Sequence, residues 1–116
     1  MSLEHINHNK SLIKAGVNFR EFAEKSWKLP DNCYDNHYPC IIHGVGLCDE
    51  WPLVAYPNRD FSNADYSANF EENMTICVES YIGEVGGKEG IKLEDQFVVT
   101  KDGLKQLSSF PYEIDI

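Results

Sequence analysis

The chain has 116 residues, and 42% of them are hydrophobic, which is enough for one core and therefore for one domain at most. It carries 19 acidic residues against 10 basic ones, an excess that argues against binding to nucleic acid or an anionic membrane and favours a metal ion or a cationic ligand. No apolar run approaches the roughly 18 residues of a membrane-spanning helix, and the N-terminus is too polar for a signal peptide. The sequence therefore predicts a soluble, cytoplasmic protein.

Two helices are predicted within the first 30 residues. The first has apolar side chains on one side and ends before Gly16. The second begins at Asn18, a good N-cap, with Glu21 three residues later in a capping-box pattern, and its apolar stripe continues to Trp27 before Pro30. We interpret this stripe as a packing face.

The rest of the sequence predicts loops followed by an antiparallel sheet. Residues 31–70 are rich in Asp, Asn, Tyr and Pro, and within them only 39–42 is apolar enough for a short strand. Residues 73–81 and 91–100 are apolar and β-branched, and a turn after them precedes a last short strand at 104–107. Two helices followed by such a sheet belong to the α+β class.

Four cysteines, Cys33, Cys40, Cys48 and Cys77, show neither C-x-x-C spacing nor the density of a disulfide scaffold. Free cysteine is among the most buried residue types. We therefore expect reduced thiols that mainly fill the core.

A hairpin folded about Gly86 and Gly87 would place Glu79 directly opposite Glu94. Like charges that face each other across an antiparallel pair are destabilising, although on a solvated face the repulsion costs only about a few tenths of a kcal/mol. The alternative is a divalent cation between the carboxylates, which turns repulsion into coordination. The glycines of this segment also allow a longer loop, which would preserve only the proximity of the two carboxylates.

His43 is the candidate for a third ligand. It ends the apolar run of the middle region, and Gly44 and Gly46 beside it allow close approach of backbone or substrate. Taken alone, a histidine in this position is more often a packed or exposed side chain. His5 and His8 are weaker candidates, because they lie in a helix end that is expected to fray.

Three stretches together resemble a known family: HGVGLCDEWP at 43–52, VESY at 78–81 and KLEDQFVVTKDG at 92–103. In this order and at these separations they resemble the second half of the catalytic domain of the pita-bread metalloenzymes, which include methionine aminopeptidase, aminopeptidase P, prolidase and creatinase. The resemblance implies helices packed on an antiparallel sheet. It also implies two divalent metal ions, bound by His43, Glu79 and Glu94 together with two upstream aspartates. Manganese, iron, cobalt and zinc all suit such ligands.

No segment before His43 offers a strand-borne aspartate pair; Asp31 and Asp35 lie in a loop-like stretch. We therefore expect residues 1–116 to be a single partial domain, the C-terminal part of a pita-bread catalytic domain. Its expected partners are the missing N-terminal half, a second copy in a homodimer and a small-molecule or dipeptide substrate.

The first interpretation of function is a metal-dependent hydrolase of the Xaa-Pro peptidase or creatinase type, because most of the family hydrolyses C–N bonds. Peptidases of the family carry a second histidine seven positions after the first, where it contacts the substrate amide. Glu50 stands at that position here and is therefore a candidate catalytic residue, but the change of residue type weakens the peptidase interpretation.

A second interpretation is the pita-bread lyase that cleaves dimethylsulfoniopropionate to dimethyl sulfide and acrylate. Asp49 and Tyr38 resemble the catalytic base of that enzyme and a neighbouring tyrosine, and a sulfonium cation could bind over aromatic faces. Ordinary packing is the alternative role for the aromatic residues of this region, Tyr34, Tyr38, Trp51 and Tyr56. A third interpretation is a pita-bread module that has lost catalysis and only binds partners.

Overall fold

The computed structural model describes residues 1–47, 49–57 and 67–112, and only the backbone of residues 49 and 50. Three helices precede five strands: α1 (Ser2–Ser11), α2 (Phe19–Lys25), α3 (Asp31–Tyr34), β1 (Ile42–Val45), β2 (Asp49–Val54), β3 (Thr75–Gly83), β4 (Gly90–Val99) and β5 (Leu104–Gln106). This order confirms the predicted α+β class. None of the helices in these ranges has the length and apolar character needed to cross a lipid bilayer.

The five strands form one antiparallel sheet in the order β2-β1-β3-β4-β5. β1 lies between β2 and β3, and β3 and β4 form a long hairpin in the centre of the sheet. The pairing of β1 with β2 shifts register between His43 and Gly44. Such an irregularity bends a strand and re-aims a side chain, and here it falls at the predicted histidine ligand.

The register of the β3–β4 hairpin is the predicted one. Glu79 pairs with Glu94, and the ladder ends at Gly83 opposite Gly90. The loop between the strands is longer than two residues and includes Gly86 at φ 76°, a left-handed conformation that glycine adopts without steric cost. The longer loop keeps the two glutamates directly opposite each other because the pairing remains in register.

Alternation along the strands gives the sheet two faces of different character. One face buries apolar side chains such as Ile76, Val78 and Phe97 in the core, and α1 packs against its strands. The other face carries polar residues with metal-binding side chains: His43, Cys77, Glu79 and Glu94. The fold therefore places the candidate ligands together on the face opposite the hydrophobic core.

α2 is shorter than its apolar stripe suggested. The Asn18 side chain caps the helix as predicted, since it accepts a hydrogen bond from the backbone N–H of Arg20. The helix ends at Lys25 because Ser26 turns to ψ 154°, and the Ser26 hydroxyl donates to the carbonyl of Ala23 at 2.7 Å. That bond satisfies one of the carbonyl groups left open at a helix C-terminus.

Three elements in the middle of the chain differ from the prediction. α3 forms in a segment predicted as loop, and the strand predicted at 39–42 runs instead from Ile42 to Val45. β2, which contains Pro52, was not predicted, because residues 31–70, rich in Asp, Asn, Tyr and Pro, indicated loops around one short strand. It lies at the edge of the sheet, where a residue without an N–H group is tolerated.

His5 lies in the core and not in a frayed helix end. Its side chain is fully buried, with Nδ1 2.9 Å from the Ser80 hydroxyl and its ring 5.2 Å from that of Trp27. Burial, reinforced by the charge of His8, lowers the pKa of His5 from 6.5 to about 4. His5 is thus a neutral core residue on the face opposite the candidate ligands.

We expect the free energy of unfolding to fall as the pH is lowered from about 6.5 to about 4. In this window the unfolded chain protonates His5 while the folded chain keeps it neutral, so proton uptake favours unfolding. The loss attributable to His5 is at most about 3 kcal/mol. Urea unfolding at a series of pH values should show that the free energy of unfolding falls less steeply with decreasing pH in His5→Gln than in the wild-type protein. His8→Gln, at an exposed position on the same helix, should change this pH dependence much less. If His5→Gln left the pH dependence of the free energy of unfolding unchanged, His5 would not be its source.

Candidate metal centre

His43 is held in the orientation of a metal-binding histidine. Its side chain is 8% exposed, and its Nδ1 lies 3.0 Å from the backbone carbonyl oxygen of Gly44. A carbonyl group only accepts, so this contact places a proton on Nδ1 and directs Nε2 toward the facing side chains. Metal-binding histidines use this arrangement, in which a hydrogen bond from one ring nitrogen orients the other toward the ion.

Two carboxylates face Nε2 of His43. Oε1 of Glu79 lies 3.0 Å from it and Oε1 of Glu94 lies 3.3 Å from it. Glu79 is almost fully buried, whereas about a third of the Glu94 side chain is exposed. Nε2 and the two carboxylate oxygens therefore converge on one point, where a proton on Nε2 or a bound cation would relieve the repulsion between the carboxylates. One imidazole and two carboxylates are a suitable ligand set for a divalent cation.

Lys92 brings positive charge to the same place. Its Nζ lies 3.3 Å from Oε1 of Glu79 and 2.9 Å from Oε2 of Glu94. The ammonium group also lies 4.1 Å from the centroid of the Tyr38 ring. This role was not predicted from the sequence, although Lys92 precedes Glu94 by two residues and therefore shares its face of β4.

Burial and neighbouring charges change the pKa values of this cluster. Burial raises the pKa of Glu79, and the negative charge of Glu94 raises it further. Burial acts in the same direction on Glu94, but hydrogen bonds from Lys92 and Cys77 outweigh it, so the pKa of Glu94 is lowered. A bound cation would stabilise the ionised form of both carboxylates. A close pair in which one carboxylate resists ionisation is therefore suited to binding a cation.

The four aromatic residues considered for a substrate pocket are distributed over several contacts. Tyr38 lies beneath the Lys92 ammonium group. Tyr34 and Tyr56 both pack against the His37 ring, at 5.0 and 5.2 Å between centroids. Trp51 packs against Phe19 of α2 at 5.6 Å. The contact with Lys92 places Tyr38 beside the candidate ligands Glu79 and Glu94.

Asp49 and Glu50, the other predicted catalytic residues, begin β2. Their backbones pair with β1, Asp49 opposite Val45 and Glu50 opposite Gly44. Both positions are therefore close in the sheet to His43. Their side chains lie outside the described part of the structure, and their catalytic roles remain predictions.

Two thiols lie beside the candidate metal ligands His43 and Glu79. The Cys40 thiol donates to Oε2 of Glu79 at 3.8 Å, and Cys77 is paired with His43 across β1 and β3. Both are buried and reduced, as is Cys33 in α3; Cys48 lies outside the described residues. These cysteines were predicted mainly to fill the core, although Cys77 precedes Glu79 by two residues and so shares its face.

Residues 1–101, most of the chain, match the family described as Metallopeptidase family M24. This chain belongs to metallopeptidase family M24. The family consists of metal-dependent enzymes, and membership confirms the predicted relationship to the pita-bread metalloenzymes.

Relatives of this M24 chain include enzymes of two kinds. It is 44% identical over 110 residues to the Dimethylsulfoniopropionate lyase DddP of Roseovarius nubinhibens, a match that covers 95% of this chain and 24% of that protein. It is 33% identical over 84 residues to the Xaa-Pro dipeptidase of Pyrococcus horikoshii, covering 70% of this chain and 20% of the relative. The chain thus spans about a quarter of the length of the lyase relative and a fifth of that of the dipeptidase.

Solved structures confirm the fold of this M24 chain. The Xaa-Pro dipeptidase of Bacillus anthracis superposes with a TM-score of 0.72 at 25% sequence identity, covering 97% of this chain and 30% of that structure. The predicted architecture, the second half of a pita-bread domain with helices on an antiparallel sheet, is therefore correct.

Proposed function

We propose that this chain forms the C-terminal part of a pita-bread enzyme that cleaves dimethylsulfoniopropionate to dimethyl sulfide and acrylate. The observation that carries the proposal is the position of the Lys92 ammonium group, 4.1 Å above the Tyr38 ring and in contact with both carboxylates. An aromatic face that already holds a cation beside a metal-ligand cluster suits a sulfonium substrate. The 44% identity to a dimethylsulfoniopropionate lyase supports the same choice.

The residues that would hold the divalent ions are His43, Glu79 and Glu94, completed by two aspartates from the first half of the domain. When bound, the ions supply positive charge that stabilises the negative charge developing beside the substrate carboxylate. The chain's own contribution is to fix these ligands on paired strands, with the Gly44 carbonyl orienting the His43 ring.

Asp49 and Tyr38 have separate roles in the proposed reaction. Asp49 removes a proton from the carbon next to the carboxylate, and the electron pair of that C–H bond forms the double bond of acrylate. The C–S bond breaks, and dimethyl sulfide leaves as a neutral molecule with the electrons of that bond. Tyr38 binds the sulfonium cation, and the flexible Lys92 side chain, about a third exposed, withdraws to make room for it.

The Xaa-Pro hydrolase that ranked first in the sequence analysis becomes the second candidate. Its support is the 33% identity to an Xaa-Pro dipeptidase and the similarity of the folds. Glu50, at the position where family peptidases carry a second histidine, favours the lyase. The remaining proposals of a dimer and a cytoplasmic location are independent of this choice.

We expect the complete enzyme, supplied with divalent metal, to release dimethyl sulfide and acrylate in equal amounts from dimethylsulfoniopropionate. Headspace measurement of dimethyl sulfide, run beside an assay for cleavage of an Xaa-Pro dipeptide and of creatine, separates the candidates. Cleavage of either of these C–N substrates without release of dimethyl sulfide would establish the hydrolase instead. No turnover of any substrate with metal bound would favour a module that only binds partners.

Two variants of Tyr38 test the cation subsite in the same assay. Tyr38→Phe keeps the aromatic face and should leave KM for dimethylsulfoniopropionate within about twofold, whereas Tyr38→Leu should raise KM roughly tenfold, as expected from a cation–π contact of about 1–2 kcal/mol. A Tyr38→Leu enzyme with an unchanged KM would remove Tyr38 from the substrate site.

A further inference from the structure

Cys77 lies among the candidate metal ligands and has no assigned role. It occupies β3 directly opposite His43 of β1, and it is 1% exposed. Its position two residues before Glu79 directs it to the polar face of the sheet. A thiol that only fills space is expected on the opposite face, among the apolar side chains of the core.

The geometry around Cys77 is that of a ligand group. Its Sγ, a ring nitrogen of His43 and a carboxylate oxygen of Glu94 all lie within 4.8 Å of one another. Ligand atoms around a tetrahedral ion are about 3.5 Å apart when the metal bonds are near 2.0–2.3 Å. Movements of roughly 1 Å in three side chains would therefore bring all three atoms to bonding distance. The group combines three kinds of donor atom, nitrogen, sulfur and oxygen.

We propose that Cys77 is a ligand of the metal ion bound by His43 and Glu94, and that its sulfur gives this centre a preference for thiophilic ions over manganese. The proposal rests on the metal-binding role of this site in the proposed function. On binding, the sulfur loses its proton to solvent and forms the bond to the metal. Soft thiolate ligands favour zinc, cobalt and iron, whereas an all-oxygen site favours manganese and magnesium.

Cobalt(II) tests the proposal without reference to activity. The complete enzyme loaded with cobalt should show near-ultraviolet charge-transfer absorption from sulfur to cobalt. Cys77→Ser should lose this absorption while elemental analysis still finds bound cobalt, because His43 and both glutamates are unchanged. Two matched controls should retain it: Cys33→Ser, a buried thiol in α3, and Cys40→Ser, whose thiol contacts the far oxygen of Glu79.

Competition between metals provides a second measurement. The ratio of zinc to manganese taken up from an equimolar mixture should fall at least about tenfold in Cys77→Ser, because a hydroxyl replaces the soft sulfur. Wild-type enzyme that binds cobalt stoichiometrically without charge-transfer absorption would overturn the Cys77 assignment alone, as would absorption that persists in Cys77→Ser. Wild-type enzyme that binds no cobalt would overturn both this assignment and the proposed metal centre.

Discussion

Glu79→Gln in the complete enzyme should lower the affinity for divalent metal by more than about 100-fold. Loss of a group that only supports a ligand typically lowers metal affinity by about 10–100-fold. Glutamine keeps the shape of the side chain and removes its charge. Glu79 is 2% exposed, and its Oε1 lies 3.0 Å from Nε2 of His43, so no water can replace the carboxylate without rearrangement. Turnover should be lost together with the metal.

Elemental analysis after dialysis against a fixed concentration of free metal measures this effect. Glu94→Gln, which alters the facing carboxylate, should lose metal as well. Glu89→Gln, an exposed residue in the loop of the same hairpin, should keep both metal and turnover. A Glu79→Gln enzyme with its full metal content, or a Glu89→Gln enzyme as damaged as Glu79→Gln, would refute the ligand assignment.

Asp49→Asn should reduce turnover of dimethylsulfoniopropionate by roughly 10²-fold or more and leave the metal content unchanged, because only proton transfer is lost. Asparagine has nearly the same shape but cannot accept the proton at neutral pH. The position of Asp49 supports its role, since its backbone pairs with Val45, two residues after His43 on β1.

Glu50→Gln is the matched control, since it removes a neighbouring carboxylate on the same strand. It should retain turnover within about tenfold, a smaller loss than the 10²-fold or more expected from removing a general base. If Asp49→Asn were mild and the enzyme cleaved Xaa-Pro dipeptides, the hydrolase interpretation would replace the lyase. Loss of metal in Asp49→Asn would instead show a structural or ligand role for this residue.

The β3–β4 hairpin shows what local sequence determines. β-branched segments on both sides of a glycine pair predict the strands, and the period of two then fixes which side chains share a face. Once the register places Glu79 opposite Glu94, the neighbours Cys77 and Lys92 follow on the same face. The meeting of the two carboxylates could therefore be predicted without knowledge of the rest of the fold.

The strand β2 and the contact of Tyr38 with Lys92 could not be predicted from local sequence. The composition of residues 31–70 indicated loops, and the edge position of β2 in the sheet accommodates Pro52 within a strand. Tyr38 lies in a connection between α3 and β1, so its distance from Lys92 depends on packing between segments more than 50 residues apart, which periodicity does not encode. The proximity of the candidate ligands was predictable from the register and the family resemblance, whereas the cation contact at Tyr38 required the structure.

Anomalous scattering from crystals of the complete enzyme grown with zinc tests the central claim most directly. The account predicts a zinc peak within about 2.0–2.2 Å of Nε2 of His43 and of an oxygen from a facing glutamate. It also predicts contacts from both Glu79 and Glu94 to the bound ions, with the Lys92 ammonium group displaced from between the two carboxylates. A fully occupied zinc site elsewhere in the protein, with His43 and both glutamates making no contact to metal, would contradict it.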